Sequence, residues 1–333
     1  MKRSLRMLGG MTLCLGFVGL TLSGGAAAQG QDDEMFAMMM TLMGGGIETT
    51  MDEAESSESL AMATELPAAY AGGFASIDYP GAIATRAFGI SAVGEIVGSY
   101  TDVTGTHGYL LSNGTFTRIA FPGATSTEAW GINPQGDIVG RYRKPGASNT
   151  FGFQLSDGVF TDISVGTHMH TLPIKITPVG DIVGCFHDTN FLRDMRGYVQ
   201  HNGRVSSFEA LPSTMHNGIT PGGQLIAGIA FETATRVRGY VIQRGLISLF
   251  DFPGATFTQA WDVSPTGTVV GYYNPEMSHG FLLDANGFTT IDIPGSRWTR
   301  IFGISPQGDL VGSYADSTNQ VHGFLLRGGS SGH

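Results

Sequence analysis

Apolar positions along the chain fall into short runs that recur at nearly constant spacing. The most regular run, Gly-x-Ile-Val-Gly and its variants, ends on glycines that are 42, 44, 44, 43 and 41 residues apart. Such periods, with several short apolar runs in each, are typical of propeller blades, which cannot bury their faces without neighbours. The pattern predicts a repeat-built domain over residues 74–327, whose copies share the glycines Gly98, Gly140, Gly184, Gly228, Gly271 and Gly312.

Each copy contains four runs of strand length, which are rich in aromatic and β-branched residues and separated by Gly, Pro and Asn. We name them strands a, b, c and d in the order in which they follow one another. In the second copy they cover Phe116–Phe121, Ala129–Asn133, Asp137–Tyr142 and Phe151–Leu155.

The connections between these strands predict how they pair. Strand d joins the next strand a through Asn-Gly or Asp-Gly, as at Asn113-Gly114, and these dipeptides accept positive φ and favour tight hairpins. The b–c connection is equally short, whereas strand a reaches strand b through a longer connector, often Pro-Gly-Ala-Thr. We therefore expect antiparallel sheets in the order b-c-d-a, with strand b innermost because its small residues suit a crowded centre.

The count of strands predicts how the domain closes. A single strand a, Phe74–Tyr79, precedes the first strand b, and the chain finishes on a b-c-d set that ends at Leu326. Pairing the two ends would complete one sheet and leave few exposed edges. The predicted fold class is all-β, a six-bladed β-propeller of four-stranded antiparallel blades whose ring is closed by the N-terminal strand.

Residues 1–28 have the order of a secretory signal peptide. Three basic residues precede an apolar run from Leu13 to Leu22, and Ala26-Ala27-Ala28 follows. Because the run is shorter than the ~20 residues of a membrane span, cleavage near Ala28 is expected, with no span remaining afterwards. We expect a bacterial protein that is secreted or periplasmic.

Residues 29–73 contain nine carboxylates and no Lys or Arg, which predicts a disordered acidic leader. Its Met-rich stretch, Met35–Met43, leaves three interpretations open: binding of Cu(I), docking on a partner as a short helix, or a spacer without function. Residues 328–333 are interpreted as a flexible tail.

The charge balance argues against two classes of partner. The net charge of −10 becomes −13 without the three basic residues of segment 1–28, and −4 when the nine acidic residues of segment 29–73 are also left out. The repeat region has no basic stripe or polybasic patch, so neither nucleic acid nor an anionic membrane is an expected partner. One cysteine, Cys185, remains after cleavage and is expected to be buried in the core.

Three phrases of the repeat resemble a known family. They are Phe-Thr-x-Ile-Asp-x-Pro-Gly, Gly-Ile-Asn/Ser-Pro-x-Gly-Asp-Ile-Val-Gly-x-Tyr and His-Gly-Phe-Leu-Leu, and they are clearest at 74–111, 116–142 and 279–326. In these phrases the chain is similar to the bacterial "probable extracellular repeat, HAF family". The resemblance covers residues 74–326 and implies an exported, repeat-built β-protein, with no established activity or catalytic residues to transfer.

The alternation of strand direction sorts the connections onto two faces. The loop face carries the long, variable a–b and c–d connections, and the turn face carries the tight b–c and d–a turns. Binding residues concentrate on loops held by a rigid scaffold, so the loop face is the predicted site. The third and fourth copies depart from the repeat there and supply the candidate ligand-binding residues His168, His170, His187, Asp188, Arg193, Asp194 and His216.

Two classes of function follow. The leading prediction is an exported, non-enzymatic binding module without a cofactor, whose partner is a glycan or an extracellular or periplasmic protein. The alternative is a propeller enzyme, a metal-assisted hydrolase or lyase that uses a histidine sector. That sector comprises His168, His170, His187 and His216, the first three being candidate metal ligands.

Other catalytic signatures are absent from the repeat region. Within the repeat region we find no Gly-x-Ser-x-Gly elbow, no His-Glu-x-x-His and no phosphate-binding loop. Trp130, Trp261 and Trp298 could stack on a sugar, but the first two fall in strand b and are expected in the core.

Overall fold

The computed structural model describes residues 65–71, 73–189, 191–208, 211, 213–274 and 277–328. The predicted signal peptide, residues 29–64 of the predicted leader and residues 329–333 of the predicted tail therefore lie outside the described residues. The described chain is all-β, apart from one 3₁₀ turn at Ala68–Tyr70 and a four-residue helix, α1 (Phe191–Asp194). Within this part of the chain, no helix has the length and apolar character to cross a membrane.

The strands pair antiparallel with their chain neighbours in sets of four, and we call each set a sheet. Two single parallel bridges, Ala84 with Val321 and Val237 with Phe257, also join two pairs of these sheets edge to edge. Five sheets follow the predicted order b-c-d-a. Their strands are β2 (Ala84–Ile90), β3 (Ile96–Asp102), β4 (Gly105–Ser112) and β5 (Thr115–Ile119); β6 (Ser126–Ile132), β7 (Ile138–Arg143), β8 (Phe151–Ser156) and β9 (Val159–Ile163); β10 (His170–Ile176), β11 (Ile182–His187), β12 (Arg196–His201) and β13 (Arg204–Ser207); β14 (Thr214–Ile219), β15 (Leu225–Thr233), β16 (Arg236–Gln243) and β17 (Leu246–Phe250); β18 (Phe257–Val263), β19 (Val269–Asn274), β20 (His279–Asp284) and β21 (Gly287–Ile291).

The remaining sheet joins the two ends of the described chain. It contains β22 (Trp298–Ile304), β23 (Leu310–Ala315) and β24 (Val321–Leu326), with the N-terminal strand β1 (Phe74–Ile77) antiparallel to β24. Phe74 lies opposite Leu326, and Ile77 lies opposite Gly323. The predicted pairing of the first strand with the last strand d is confirmed.

The tight turns form where the sequence places Asn-Gly and Asp-Gly. Asn113 and Gly114, between β4 and β5, have φ of 49° and 76°, and Asp157 and Gly158 repeat this geometry after β8. Positive φ at both central residues gives the turn a twist that matches a right-handed hairpin. The d–a turns therefore fold as predicted.

The glycine that ends each Gly-x-Ile-Val-Gly phrase is required by close packing. A methyl group on Gly140 would run into the carbonyl oxygen of Glu128 on β6 and would lie 2.8 Å from the ring of Phe153 on β8. The same two obstacles, a strand b carbonyl and a strand d ring, surround Gly98, Gly271 and Gly312. The repeat keeps this glycine because strands b and d both press on it.

Successive sheets pack face to face through a small apolar residue of strand c. Val97 of β3 shares a core cluster with Ile138 of the next sheet, and Val139 of β7 shares one with Ile182. Val311 of β23 shares a core cluster with Ile90 of β2, so the last sheet packs against the first. Each sheet thus buries its neighbour, as repeats too small to form their own core must.

Strand b is bulged in each of the six sheets, and the bulged residues meet at the centre. In β2, for example, the register shifts between Ala87 and Gly89, which leaves Phe88 as the extra residue. Phe88 stacks on Trp130 with ring centroids 3.9 Å apart, and Phe302 meets Trp261 edge to face at 5.0 Å. Phe88, Trp130, Trp261 and Phe302 form what we call the central cluster; all are buried, as expected for the tryptophans of strand b.

The predicted leader ends earlier than expected. Tyr70 is buried, and its hydroxyl donates a hydrogen bond to the carbonyl of Gly308 at 3.2 Å, while Leu66 packs on the same core as Leu326. Gly73 accepts a hydrogen bond from the amide of Arg327. The prediction of disorder up to residue 73 is therefore wrong for its last residues, because two apolar side chains anchor them to the final sheet.

Candidate functional site

The first part of the predicted sector is a surface pair on the loop face. His168, in the connector between β9 and β10, lies 2.9 Å from Asp188 through Nδ1, and the amide of Met169 donates to the same carboxylate. These hydrogen bonds lower the pKa of Asp188. Both side chains are about two-fifths exposed, at 37% and 43%, so the pair contributes little to stability.

His170 and His187 form a second, buried pair beside it. They lie opposite each other at the ends of β10 and β11, and their rings stack with centroids 4.3 Å apart. Nδ1 of His170 accepts a hydrogen bond from the amide of Thr150, and Nδ1 of His187 donates to the carbonyl of Asp188. Burial lowers the pKa of His170 to about 4 and also lowers that of His187, so both rings are neutral at pH 7.

Arg193 and His216 do not converge on these pairs, whereas Asp194 lies close enough to His187 for its charge to oppose the lowering of the His187 pKa. Arg193 and Asp194 belong to α1, where Arg193 is exposed and its carbonyl accepts a hydrogen bond from Arg196. His216 is not a loop residue: it lies in β14 of the next sheet, 2% exposed, with Nδ1 hydrogen-bonded to the hydroxyl of Tyr240. Burial lowers its pKa to about 4.

This geometry bears on the candidate metal site. Among the residues that the structure describes, no group of three or more His, Cys, Asp or Glu side chains is arranged to hold a metal ion. His168 faces Asp188, His170 stacks on His187, and His216 is occupied by Tyr240 in another sheet. Cys185 is buried as expected, and burial raises the pKa of its thiol to about 12, so it stays protonated.

A charged cluster that the sequence analysis did not identify lies at the loop-face end of the inner strands. Arg86, Glu128 and Arg300 each precede a residue of the central cluster by two positions in strand b, and Arg141 comes from the adjoining strand c. We call these four residues the inner charged cluster. Three guanidinium groups thus accompany one carboxylate at the centre of the domain.

Arg141 and Glu128 pair with each other. Nη2 of Arg141 donates to Oε2 of Glu128 at 2.8 Å, and the guanidinium lies 4.7 Å from the ring centroid of Trp130. Burial alone would raise the pKa of Glu128, but Arg141 and two further arginines outweigh it, so the pKa is lowered and the group stays ionised. The Glu128 side chain remains 22% exposed, so solvent reaches the cluster.

Arg300 is held by stacking rather than by an ion pair. Its guanidinium lies 4.8 Å from the ring centroid of Trp298 and 5.1 Å from that of Tyr272, and Nε donates to the hydroxyl of Ser278 at 3.1 Å. The residue is 7% exposed, and its buried Nη1 has no hydrogen-bond partner among the described residues. Burial lowers its pKa.

Arg86 completes the cluster on the neighbouring strand b. Its buried Nε has no hydrogen-bond partner within the described part of the chain. Burial lowers the pKa of Arg86 to about 10, with the charge of Glu128 opposing this effect and that of Arg300 adding to it. The other three strands b carry Leu172, Met215 and Gln259 at the same position, so the charge is confined to one side of the centre.

The turn-face end of the inner strands is organised differently. Lys175 of β10 forms a salt bridge with Asp262 of β18, and Oδ2 of Asp262 also accepts the amide of Ile304 at 3.1 Å. Above this pair lies a depression of about 70 Å³ lined by b–c turns, smaller than the ~300–1,000 Å³ of small-molecule pockets. This end of the centre is therefore braced and nearly filled.

A signal for both features exists in the sequence. Aligning the six strands b shows glycine after the bulge in four copies, whereas Lys175 and Asp262 take that place in the other two. The position two residues before the bulge varies from charged to apolar in the same alignment, with Arg86, Glu128 and Arg300 among its members. These departures lie inside the innermost strand, whereas the candidate residues predicted from the sequence came from departures in the loops.

The chain has β-propeller neighbours among solved structures. No protein-family model matches it, and no curated protein does. A mutant of the Aleuria aurantia lectin in complex with Fucα1-6GlcNAc shares 12% identity over 79% of this chain and 93% of its own, with a TM-score of 0.47. TolB from Acinetobacter baumannii shares 12% identity over 79% of this chain and 66% of its own, with a TM-score of 0.48.

A third neighbour is the β-propeller domain of the Trilobed protease from Pyrococcus furiosus. It shares 12% identity over 74% of this chain and 94% of its own, with a TM-score of 0.48. Likenesses at this level carry no argument about ligand or activity.

Proposed function

We propose that the chain is an exported six-bladed β-propeller built from HAF-type repeats, acting as a binding module for a glycan or an extracellular or periplasmic protein. The six four-stranded sheets, the packing of Val311 on the first sheet and the pairing of β1 with β24 support a closed ring. The signal-peptide pattern of residues 1–28 supports export to the periplasm or beyond.

One observation carries the placement of the ligand. At the loop-face end of the centre, Arg86 and Arg300 keep buried donors without partners among the described residues, and solvent reaches the neighbouring Glu128. At the turn-face end, Lys175 and Asp262 satisfy each other. A buried N–H donor without an acceptor costs free energy. We therefore place the ligand at the loop-face end, where it would supply acceptors to these arginines.

The enzymatic alternative receives less support from the geometry. A metal-assisted hydrolase or lyase of the predicted kind needs His168, His170, His187 and His216 to converge, whereas His216 is bonded to Tyr240 in a different sheet. The predicted contribution of the loop sector is therefore reduced to the rim formed by His168, Asp188 and Arg193.

The test compares the two faces with the mature chain on an array of neutral and acidic glycans. The loop-face variant is Arg86→Gln with Arg300→Gln, and the matched turn-face variant is Gln135→Ala with Gln307→Ala, both exposed turn positions. We expect the first variant to lose binding and the second to bind as the parent does. The opposite result would show that the ligand meets the turn face, and binding of no glycan would contradict the glycan ligand.

A further inference from the structure

Arg86 and Arg300 each keep a buried N–H group for which the described residues supply no acceptor. A guanidinium carries five N–H donors, and Arg300 uses Nε on Ser278 while its buried Nη1 meets no acceptor among the described residues. Nε of Arg86 is likewise buried and has no acceptor among the described residues. Leaving such a buried donor unsatisfied costs about 1–3 kcal/mol, and such groups call for an explanation, of which a catalytic role or a bound water or ion are examples.

A purely structural role accounts for Arg141 but not for Arg86 and Arg300. Arg141 has a carboxylate partner at 2.8 Å and an aromatic ring beneath it, as a packed core arginine requires. Arg300 has aromatic rings against its guanidinium, which fix its plane, and its buried Nη1 has no hydrogen-bond partner among the described residues. In the described part of the chain, Arg86 has neither a hydrogen-bonding partner for its side chain nor a carboxylate within salt-bridge distance.

The chemistry of the cluster selects the ligand. A guanidinium fork with its plane fixed matches the two oxygens of a carboxylate. Glu128 remains ionised and partly exposed beside Arg86, so it repels a second negative charge and offers an acceptor to a hydroxyl group. A ligand that combines one carboxylate with neighbouring hydroxyl groups fits this arrangement, and a sugar acid has that composition.

We infer that the loop-face end of the centre binds a sugar acid, a uronate or a saccharide bearing one, with its carboxylate on Arg86 and Arg300 and a hydroxyl group on Glu128. This inference rests on the proposed function and names the ligand class of the same site. It assigns Arg86 and Arg300 as binding residues, and it assigns Arg141 as the residue that positions Glu128.

The experiment is calorimetric titration of the mature chain with galacturonate and glucuronate oligomers, each beside its neutral counterpart of galactose or glucose. We expect the acidic saccharide to bind at least tenfold more tightly than the neutral one. Arg86→Gln and Arg300→Gln are each expected to weaken binding of the acid by tenfold or more. The matched control, Arg204→Gln, removes one positive charge from an exposed position of β13 and is expected to leave binding unchanged.

Several outcomes would overturn the inference. Equal affinity for acidic and neutral saccharides would remove the role of the carboxylate, and equal affinity for acetate would remove that of the hydroxyl group. Tighter binding of inorganic phosphate would show that the site takes a dianion. Because Arg300 is buried, the affinity of the Arg300→Gln variant is interpreted only if its melting temperature matches that of the parent. If the melting temperatures differ, the affinity of the Arg86→Gln variant provides the test. Neutral saccharides that bind on the loop face would leave the proposed function intact while this inference fails.

Discussion

Burial changes the pKa values of individual histidines in this protein. His170, His187 and His216 were predicted as exposed loop ligands, yet the structure buries all three and lowers their pKa values. The sequence could not show this, because β10 already begins at His170 and β14 at Thr214, inside stretches that were interpreted as connectors. The surface pair of His168 and Asp188, by contrast, lies on the loop face as predicted.

The buried histidines predict a loss of stability in acid. The pKa of His170 is about 4 in the folded chain against an ordinary 6.5, so between these values the unfolded chain binds more protons. The stabilisation is complete above pH 6.5 and falls as the pH approaches 4, by about 3 kcal/mol for His170. His279, whose pKa is raised by its hydrogen bond to Asp292, works in the opposite direction.

This prediction is measured by urea unfolding of the parent and of His170→Asn at several pH values. The Asn carbonyl can still accept the amide of Thr150 but does not titrate. We expect the variant to show a shallower fall in unfolding free energy between pH 6.5 and 4. An identical fall in both proteins would show that His170 is not the group responsible.

At the scale of elements, the sequence predicted most of the strand plan. The order b-c-d-a, the tight d–a turns and the pairing of the first and last strands all follow from the spacing of apolar runs and turn residues. What it did not reveal was the bulge in each strand b, because a bulge depends on how strands b of neighbouring sheets meet. The position after the bulge carries the cross-brace of Lys175 and Asp262 between β10 and β18.

The cross-brace can be tested by a double-mutant cycle. Asp262→Asn leaves the charge of Lys175, whose side chain is 15% exposed, without its partner, and breaking such a pair costs about 3–5 kcal/mol. Lys175→Met with Asp262→Asn is expected to recover much of that loss, since the unpaired charge is gone. Unfolding free energies that simply add across the cycle would mean that the two side chains do not interact.

At the scale of the whole domain, the two ends of the centre have different roles. The central cluster of aromatic rings lies between the inner charged cluster, where we propose that the ligand binds, and the Lys175–Asp262 brace, which holds β10 and β18 together. The site predicted from the sequence and the site that we propose share the loop face, but the sequence pointed to residues at its rim. The interior residues required the fold, because strands b contribute them from separate sheets.

The joining of the chain ends predicts that the N-terminal segment is essential to stability. A chain beginning at Gly81 loses the burial of Tyr70 and Ile77 together with the β1 ladder, and we expect its unfolding free energy to fall by roughly 3 kcal/mol or more. A chain beginning at Glu65 is the control and should melt like the parent. Equal melting temperatures for both would contradict the closure.

The pairing of β1 with β24 also has a consequence for the order of events during synthesis. The first strand of the domain can pair only after the last strand has been synthesised, because Phe74 lies opposite Leu326. Until then the growing polypeptide carries an unsatisfied edge at its front. The sheet that joins the two chain ends therefore forms late. A chain interrupted before residue 321 lacks the partner of its first strand.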